Sequence, residues 1–590
     1  MYNVNIQGRD SYRLFTSVKQ TEQSQQLLQC VLISLFVLAV LLLLFIFRQF
    51  DNNRLTSWFW VFADFSSVKF FIMISLGMII SYPLSRFSLP EKSSVFALTT
   101  FSFFITTVFW QQPEVIVDAS RYFMQAKYVE LYGPGFFIAE WGNVIPAWTD
   151  MPLVPFIYGV IFWVFGETRL GIQIFSSLLF AGTVTLTYLI GKTLWNRQLG
   201  LYAAALLLGI PYLLTQVPLF MVDIAAMFFL TLAIYSVINA IEKGNVVSCL
   251  WASVVITLAL LVKYSNGLML SIIPIIFLVN YQKGWRPVIR LGLIVAIGVF
   301  ILFGIFLLIK FDVFIEQLQL LQSYQMPALS RWKESLSSTF LFQIHPVITI
   351  TAVYSLYRVA RKKEIKYLTI CWLVILTLIL DVRRIRYMIA IFPMLTLMSA
   401  YGLYYLKDEG LRRFVVSSTV LSSVLIAVFA YLPFLEKTSS INIKQAGEYL
   451  DLMGAEFDRV DVYVQNQSRS SVNPSVIIPI LDLFTDKELV YHFSESVLNA
   501  PDNIDSLPLR WTWELDSSQY LRERPNKNID GIAIVVIQSS ADKQLPEFIR
   551  TKIKYYRLRK AFNVTDKAFK FQTTVKIYRP VSELNIEEKS

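Results

Sequence analysis

Charge is what this chain has least of. Only 16% of its 590 residues are Asp, Glu, Lys or Arg, against about a quarter in an ordinary soluble domain. Together with 55% hydrophobic residues and a mean hydropathy of +0.53, this excludes a soluble globular enzyme. Cysteine is scarce too. Cys30, Cys249 and Cys371 all fall inside apolar runs, which excludes a disulfide framework or a thiolate cluster. The two histidines, His345 and His492, lie too far apart for a His-rich metal site. The polar C-terminal part contains neither a glycine-rich phosphate loop nor a nucleophile elbow, so nucleotide and acyl-transfer chemistry find no signature there.

Long apolar runs are what the chain does have. Segments 28–48, 68–86, 93–110, 170–192, 199–216, 221–241, 246–263, 267–281, 288–310, 341–357, 366–381, 387–406 and 413–433 each read as a membrane span, for which about 17–25 apolar residues suffice. The expected fold is therefore an α-helical polytopic membrane protein with about thirteen transmembrane helices. The first span is too long for a signal h-region and lacks a small-residue cleavage site, so it reads as a retained anchor.

Basic residues set the orientation. With the N-terminus inside, Arg86, Lys92, Lys192, Arg197, Lys243, Arg286, Arg290, Lys366, Lys407 and Arg412 fall on the cytoplasmic side, as the positive-inside bias requires. The segment 153–166 is apolar but short. It reads as a juxtamembrane or re-entrant helix, because a crossing there would invert the charge pattern. Loop 311–340 reads equally as a lid or as a surface helix lying in the interface.

The chain divides into residues 1–92 (a cytoplasmic tail and two extra spans), 93–433 (a transmembrane catalytic domain with an outer loop at 111–169) and 434–590 (an extracytoplasmic α/β domain). The last part carries 21 basic and 22 acidic residues. The segments DRVDVYVQN, DGIAIVVIQ and TTVKIYRP in it have strand character.

The polar groups that recur at outer span ends are Asp118, Asp223, Lys263 and the cluster Arg383, Arg384 and Arg386. Ionisable groups at membrane depth are costly and usually line a cavity or pathway. A single charge at a span end is more often a solvated interfacial residue. It is the agreement of several on one face that points to a shared site.

These residues carry a resemblance. Asp118-Ala119-Ser120-Arg121-Tyr122 is similar to the acidic motif opening the first outer loop of GT-C glycosyltransferases related to protein O-mannosyltransferases and the aminoarabinose transferases of lipid A, with Ala119 in place of a second acid. Asp150-Met151-Pro152-Leu153 resembles the family's Pro-Pro-Leu step without its basic residue. The stretch from Phe165 to Leu207 is similar along its length. Asp223, the step from Lys263 to Gly267, and Arg386-Tyr387 with Pro393 follow in the family's order.

The resemblance implies an inverting glycosyltransferase that moves a sugar from a polyprenyl-phosphate donor to a protein, lipid or glycan acceptor on the outer face of the membrane. It implies Asp118 and Asp223 as the catalytic acids. The donor phosphate would be held by Lys263, Arg383, Arg384 and Arg386, since Arg forks match phosphate oxygens. Substrate contacts would come from Arg121, Tyr122, Glu140, Tyr387 and His345. No structural metal is expected, though Asp118 and Glu140 are available to a divalent cation. The alternatives are a transporter or flippase of lipid-linked sugars, which would show internal repeats, and a ligase using a polyprenyl-diphosphate glycan. No nucleic-acid partner is expected, and the expected location is a bacterial inner membrane.

The orientation is testable. Cysteines introduced near Ser120 and in residues 440–590 should react with an impermeant maleimide added from outside. Labelling of both only after permeabilisation would reverse the topology.

Overall fold

The computed structural model describes residues 6–50, 60–63, 65–86, 91–325, 334–438, 440–453, 459–465, 473–492, 511–514, 533–538, 544–564 and 573–581. Its helices are α1 (Ile6–Phe47), α2 (Ser67–Arg86), α3 (Glu91–Thr107), α4 (Ile116–Glu140), α5 (Leu153–Phe165), α6 (Arg169–Leu194), α7 (Arg197–Leu207), α8 (Pro211–Gln216), α9 (Asp223–Lys243), α10 (Val246–Val262), α11 (Tyr264–Met269), α12 (Ile272–Val279), α13 (Trp285–Ile309), α14 (Phe311–Leu320), α15 (Pro346–Lys362), α16 (Leu368–Ile379), α17 (Phe392–Tyr404), α18 (Glu409–Ile426), α19 (Ile441–Leu452), α20 (Ile478–Leu483) and α21 (Glu547–Lys552). Seven helical segments among the described residues are long and apolar enough to cross a bilayer.

Every one of the thirteen expected runs is mainly helical, but three are broken, the run 341–357 at Ile344 and His345. The run 199–216 divides into α7 and α8. Pro211 opens α8 and has no amide hydrogen to continue the ladder from α7. The run 267–281 divides into α11 and α12 around Leu270 and Ser271. Segment 153–166 forms α5, of 13 residues. At 1.5 Å per residue it is about 20 Å long, short of a hydrocarbon core of about 30 Å.

The chain forms two compact units. One comprises residues 1–102, 184–214 and 334–431, and the other comprises 103–183, 215–333 and 432–590. In the first, α2 lies along α18, where the Ser417 hydroxyl donates to the Ser81 carbonyl. Gly402 of α17 meets the Thr351 carbonyl of α15, leaving no room for a Cβ. In the second, α4 packs on α5 through Gly159, where a Cβ would collide with Val129 and the Ala126 carbonyl. Helix α13 is apolar all round and only 6% of its span window is buried, the exposure expected of a helix facing lipid.

The second unit also holds the C-terminal sheet, in the order β2-β1-β3-β5-β4: β1 (Arg459–Val464), β2 (Glu488–Tyr491), β3 (Ala533–Gln538), β4 (Tyr556–Asn563) and β5 (Thr574–Pro580). β1 pairs parallel with β2 and β3, while β5 pairs antiparallel with β3 and β4. The three expected strands are β1, β3 and β5. β2 has four residues and β4 reads RLRK within its span, so neither carries a hydrophobic alternation.

The α4–α5 contact gives a direct test. Gly159→Ala should lower stability by about 1–3 kcal/mol through overpacking, read as a fall in thermal midpoint in detergent. An unchanged midpoint would mean the two helices are not pressed together at Gly159.

Candidate active site

The site is built on α4 of the second unit. The helix begins at Ile116 and places Asp118 in its first turn, where the positive end of the helix dipole stabilises a carboxylate. Just ahead of it lies an ion-paired knot. Glu114, 2% exposed, accepts from Arg169 Nε at 2.7 Å and from the Phe220 amide at 2.8 Å. The rest of the Arg169 fork donates to the carbonyls of Trp110 and Gln112 at 2.9 and 2.7 Å.

The C-terminal part of the unit holds the same region. The Lys444 ammonium of α19 donates to both the carbonyl and the side-chain oxygen of Gln111. Arg169 lies over the Phe484 ring at 5.1 Å. The Ser120 hydroxyl, two residues past Asp118, donates to the carbonyl of Val476. Ser120 is fully buried by that contact, so labelling of this face needs an exposed neighbour such as Tyr132.

Arg121 is the centre of the inner face. Its Nε lies 2.6 Å from Asp150 Oδ2, and its Nη2 donates to the Tyr122 hydroxyl at 3.1 Å. Gln125, one turn on, donates to the same Asp150 oxygen at 3.2 Å. Burial disfavours the charged guanidinium, but Asp150, then Tyr122 and Asp118, outweigh it and raise the Arg121 pKa. Farther along α4, Lys127 pairs with Glu130 at 3.0 Å and with Glu167.

Asp223 opens α9, and its Oδ1 lies 2.6 Å from the ammonium of Lys263, which closes α10. Asp223 is 4% exposed. The Tyr158 hydroxyl donates to the Met221 carbonyl at 2.7 Å and fixes the turn before it.

Among the residues expected from sequence, the structure thus brings Arg121 together with Tyr122, and Asp223 together with Lys263. Arg121 forms an ion pair with Asp150, and the charge of Asp118 acts on the same guanidinium. Tyr122 is 2% exposed, spent on Arg121. Glu140 ends α4 beyond a break at Gly133, whose φ of +84° suits glycine, and so sits on a different helical segment from Asp118.

In the first unit, Arg383 pairs with Asp381. The Arg384 guanidinium lies 5.4 Å from the Tyr387 ring centre. Arg386 belongs to the short turn Ile385–Met388. His345, considered for substrate contact, caps α15: its Nδ1 accepts from the Val347 amide at 3.3 Å and its Nε2 lies 3.0 Å from the Ser422 hydroxyl. Among the described residues no group of three or more His, Cys, Asp or Glu is placed to hold a metal ion, so no step is derived through a divalent cation.

Asp150, Gln125, Glu114 and Arg169 carry the structure of the site without having been assigned a role from sequence. Asp150 had a signal, as the acid of the turn-rich segment before Pro152. The others are single polar residues in apolar surroundings, and only the fold shows what they face.

Residues 149–309 match the sequence model of the family described as dolichyl-phosphate-mannose-protein mannosyltransferase. No curated protein matches significantly in sequence. Among solved structures, the chain is similar to ArnT of Cupriavidus metallidurans bound to undecaprenyl phosphate, at 12% identity and TM-score 0.51, covering 83% of this chain and 98% of that one. The apo oligosaccharyltransferase of Archaeoglobus fulgidus is similar at 10% identity and TM-score 0.46, covering 75% and 69%. The likeness to ArnT shows a shared GT-C-type helical membrane fold, and the match to the mannosyltransferase family rests on residues 149–309.

The buried pair is open to test. Asp150→Asn removes the ion-pair partner 2.6 Å from a buried guanidinium, and breaking a buried pair costs up to about 3–5 kcal/mol. The double variant Asp150→Asn/Arg121→Gln should be less destabilised than the sum of its parts. Strict additivity in thermal unfolding would show that the two side chains act independently.

Proposed function

We propose that the chain transfers a sugar from a polyprenyl-phosphate donor to an acceptor on the outer face of the membrane, with inversion at the anomeric carbon. The observation that carries this reading is Asp118, a carboxylate in the first turn of α4 beside a guanidinium fixed by Asp150, in a chain whose segment 149–309 matches the mannosyltransferase family.

The acceptor oxygen attacks the anomeric carbon as the bond from that carbon to the phosphate oxygen breaks. The acceptor proton passes to the Asp118 carboxylate, and the polyprenyl phosphate leaves as an anion. Lys263, held by Asp223, is assigned to that phosphate. The donor role expected for Arg383, Arg384 and Arg386 rests on their sequence pattern alone, and Tyr387 accompanies Arg384. Arg121 and Tyr122 shape the base, and Glu140 is left to the acceptor side.

Two apolar cavities suit a lipid tail. One of about 550 Å³ is lined by α10, α12 and α13 through residues such as Ile256, Pro274, Phe277 and Phe303. One of about 200 Å³ is lined by Phe137, Trp141, Phe156 and Phe306, with Lys310 at its edge. The name of the matched family and the lipid bound by ArnT support this class of donor.

The experiment follows release of polyprenyl monophosphate from a monophosphate-linked sugar by the purified protein on addition of acceptor. Asp118→Asn keeps the size and much of the hydrogen bonding but cannot take a proton. It should lower turnover at least about a hundredfold while donor binding survives. Arg386→Ala should weaken donor binding more than Arg386→Lys, because lysine loses only the fork. Near wild-type transfer by a folded Asp118→Asn protein would remove Asp118 as the base.

A further inference from the structure

A second cavity, polar where the others are apolar, lies beside the Asp150 turn. Its volume is about 420 Å³, within the range of about 300–1,000 Å³ usual for small-molecule sites. One wall is the turn after α4, with Asn143 and Trp148. The other is α14 and the residues after it, with Glu316, Gln317, Gln319 and Ser323.

The walls are fixed to each other. The Lys310 ammonium donates to the carbonyls of Ala139 and Trp141 at 2.7 and 2.9 Å, satisfying the end of α4 as a cation at a helix C-terminus does. Gly142, at φ +90°, lies against Val313 so closely that a Cβ would meet its side chain. Trp148 takes φ +46°, an uncommon backbone state for a large residue.

Beside small and aliphatic residues such as Pro146 and Leu320, the lining offers side-chain amides, a hydroxyl, one carboxylate and an indole, and among the lining residues there is neither Lys nor Arg. Gln317 is 2% exposed. Its Nε2 donates to the Asp150 carbonyl at 3.0 Å, which fixes the amide's orientation, since a carbonyl only accepts. That leaves Oε1 buried and without a hydrogen-bond donor among the described residues, a state that costs free energy until a donor arrives. A ligand hydroxyl is such a donor.

We propose that this cavity is the subsite for a neutral, hydroxyl-rich saccharide unit of the acceptor. The assignment rests on the transferase reading above and gives that reading an acceptor class. Amides and hydroxyls pair with sugar hydroxyls in either direction, whereas the lone Glu316 carboxylate, with no cation in the lining, disfavours an anionic group. Through Gln317 the subsite touches the backbone of Asp150, whose carboxylate holds Arg121.

The test is saturation-transfer NMR on the purified full chain, with maltotriose as the neutral probe and glucose 6-phosphate as the anionic one. Maltotriose should show transfer and glucose 6-phosphate little. Gln319→Ala and Glu316→Gln, both at exposed positions, should each weaken maltotriose binding about fivefold, the worth of one hydrogen bond, with the thermal midpoint unchanged. Gln317→Leu should abolish binding. Equal transfer to both probes, or maltotriose binding untouched by the Gln319→Ala and Glu316→Gln variants, overturns the subsite.

Donor consumption is measured on the same preparations. A protein that consumes lipid-linked sugar but gives no maltotriose signal overturns the subsite and leaves the transferase reading in place. One that binds maltotriose in the predicted manner without consuming donor retains the saccharide site and removes the transferase reading.

Discussion

A guanidinium buried near the start of α4 must be neutralised, and much of the second unit is arranged to do it. Arg121 is 8% exposed. An uncompensated charge at that depth would cost several kcal/mol. Asp150 meets it at 2.6 Å, and Gln125 occupies the same carboxylate from one helical turn away. That requirement brings the loop back to α4 after the break at Gly133 and the turn at Gly142. It also explains why a turn-rich segment between apolar helices is ordered: its polar groups are partners of one another.

The same logic extends to the C-terminal part. A small sheet outside the membrane stretches could have been a tethered module. Instead its helices reach the residues flanking Asp118 on both sides, Gln111 through Lys444 and Ser120 through Val476. Burial lowers the Lys444 pKa, with the nearby Glu448 opposing that shift. An ammonium is kept there because it satisfies a loop carbonyl and a loop amide oxygen together. The domain therefore belongs to the structure of the loop, and its place in unit two reflects that.

How much of this was legible in the sequence follows from the range of each interaction. Helices are local, and apolar length marked the helical runs, although the breaks at Pro211, Ser271 and His345 needed the chain's own turns to be seen. Strands β1, β3 and β5 show β-branched alternation, whereas β4 is carried by pairing to β5 and has mostly exposed side chains. Among site residues, Asp118, Asp223 and Lys263 stood out as charges at span ends, and Arg121 through the motif that it shares with Asp118. The Asp223–Lys263 contact joins residues 40 apart, and Asp150 meets Arg121 across a loop, so neither pairing follows from periodicity. His345 stood out for its rarity, and its Nδ1 caps α15.

Two carboxylates around one guanidinium also bear on the chemistry proposed for Asp118. A base needs to be ionised yet still able to accept a proton. A carboxylate locked to an arginine is well ionised, but its basicity falls with every hydrogen bond to the anion. Here Asp150 lies 2.6 Å from the Arg121 Nε, and the Asp118 charge acts on the same guanidinium. Asp118 also stands in the first turn of α4, where the helix dipole favours an anion. On the proposed mechanism both influences hold Asp118 ionised, the state in which a base receives the acceptor proton.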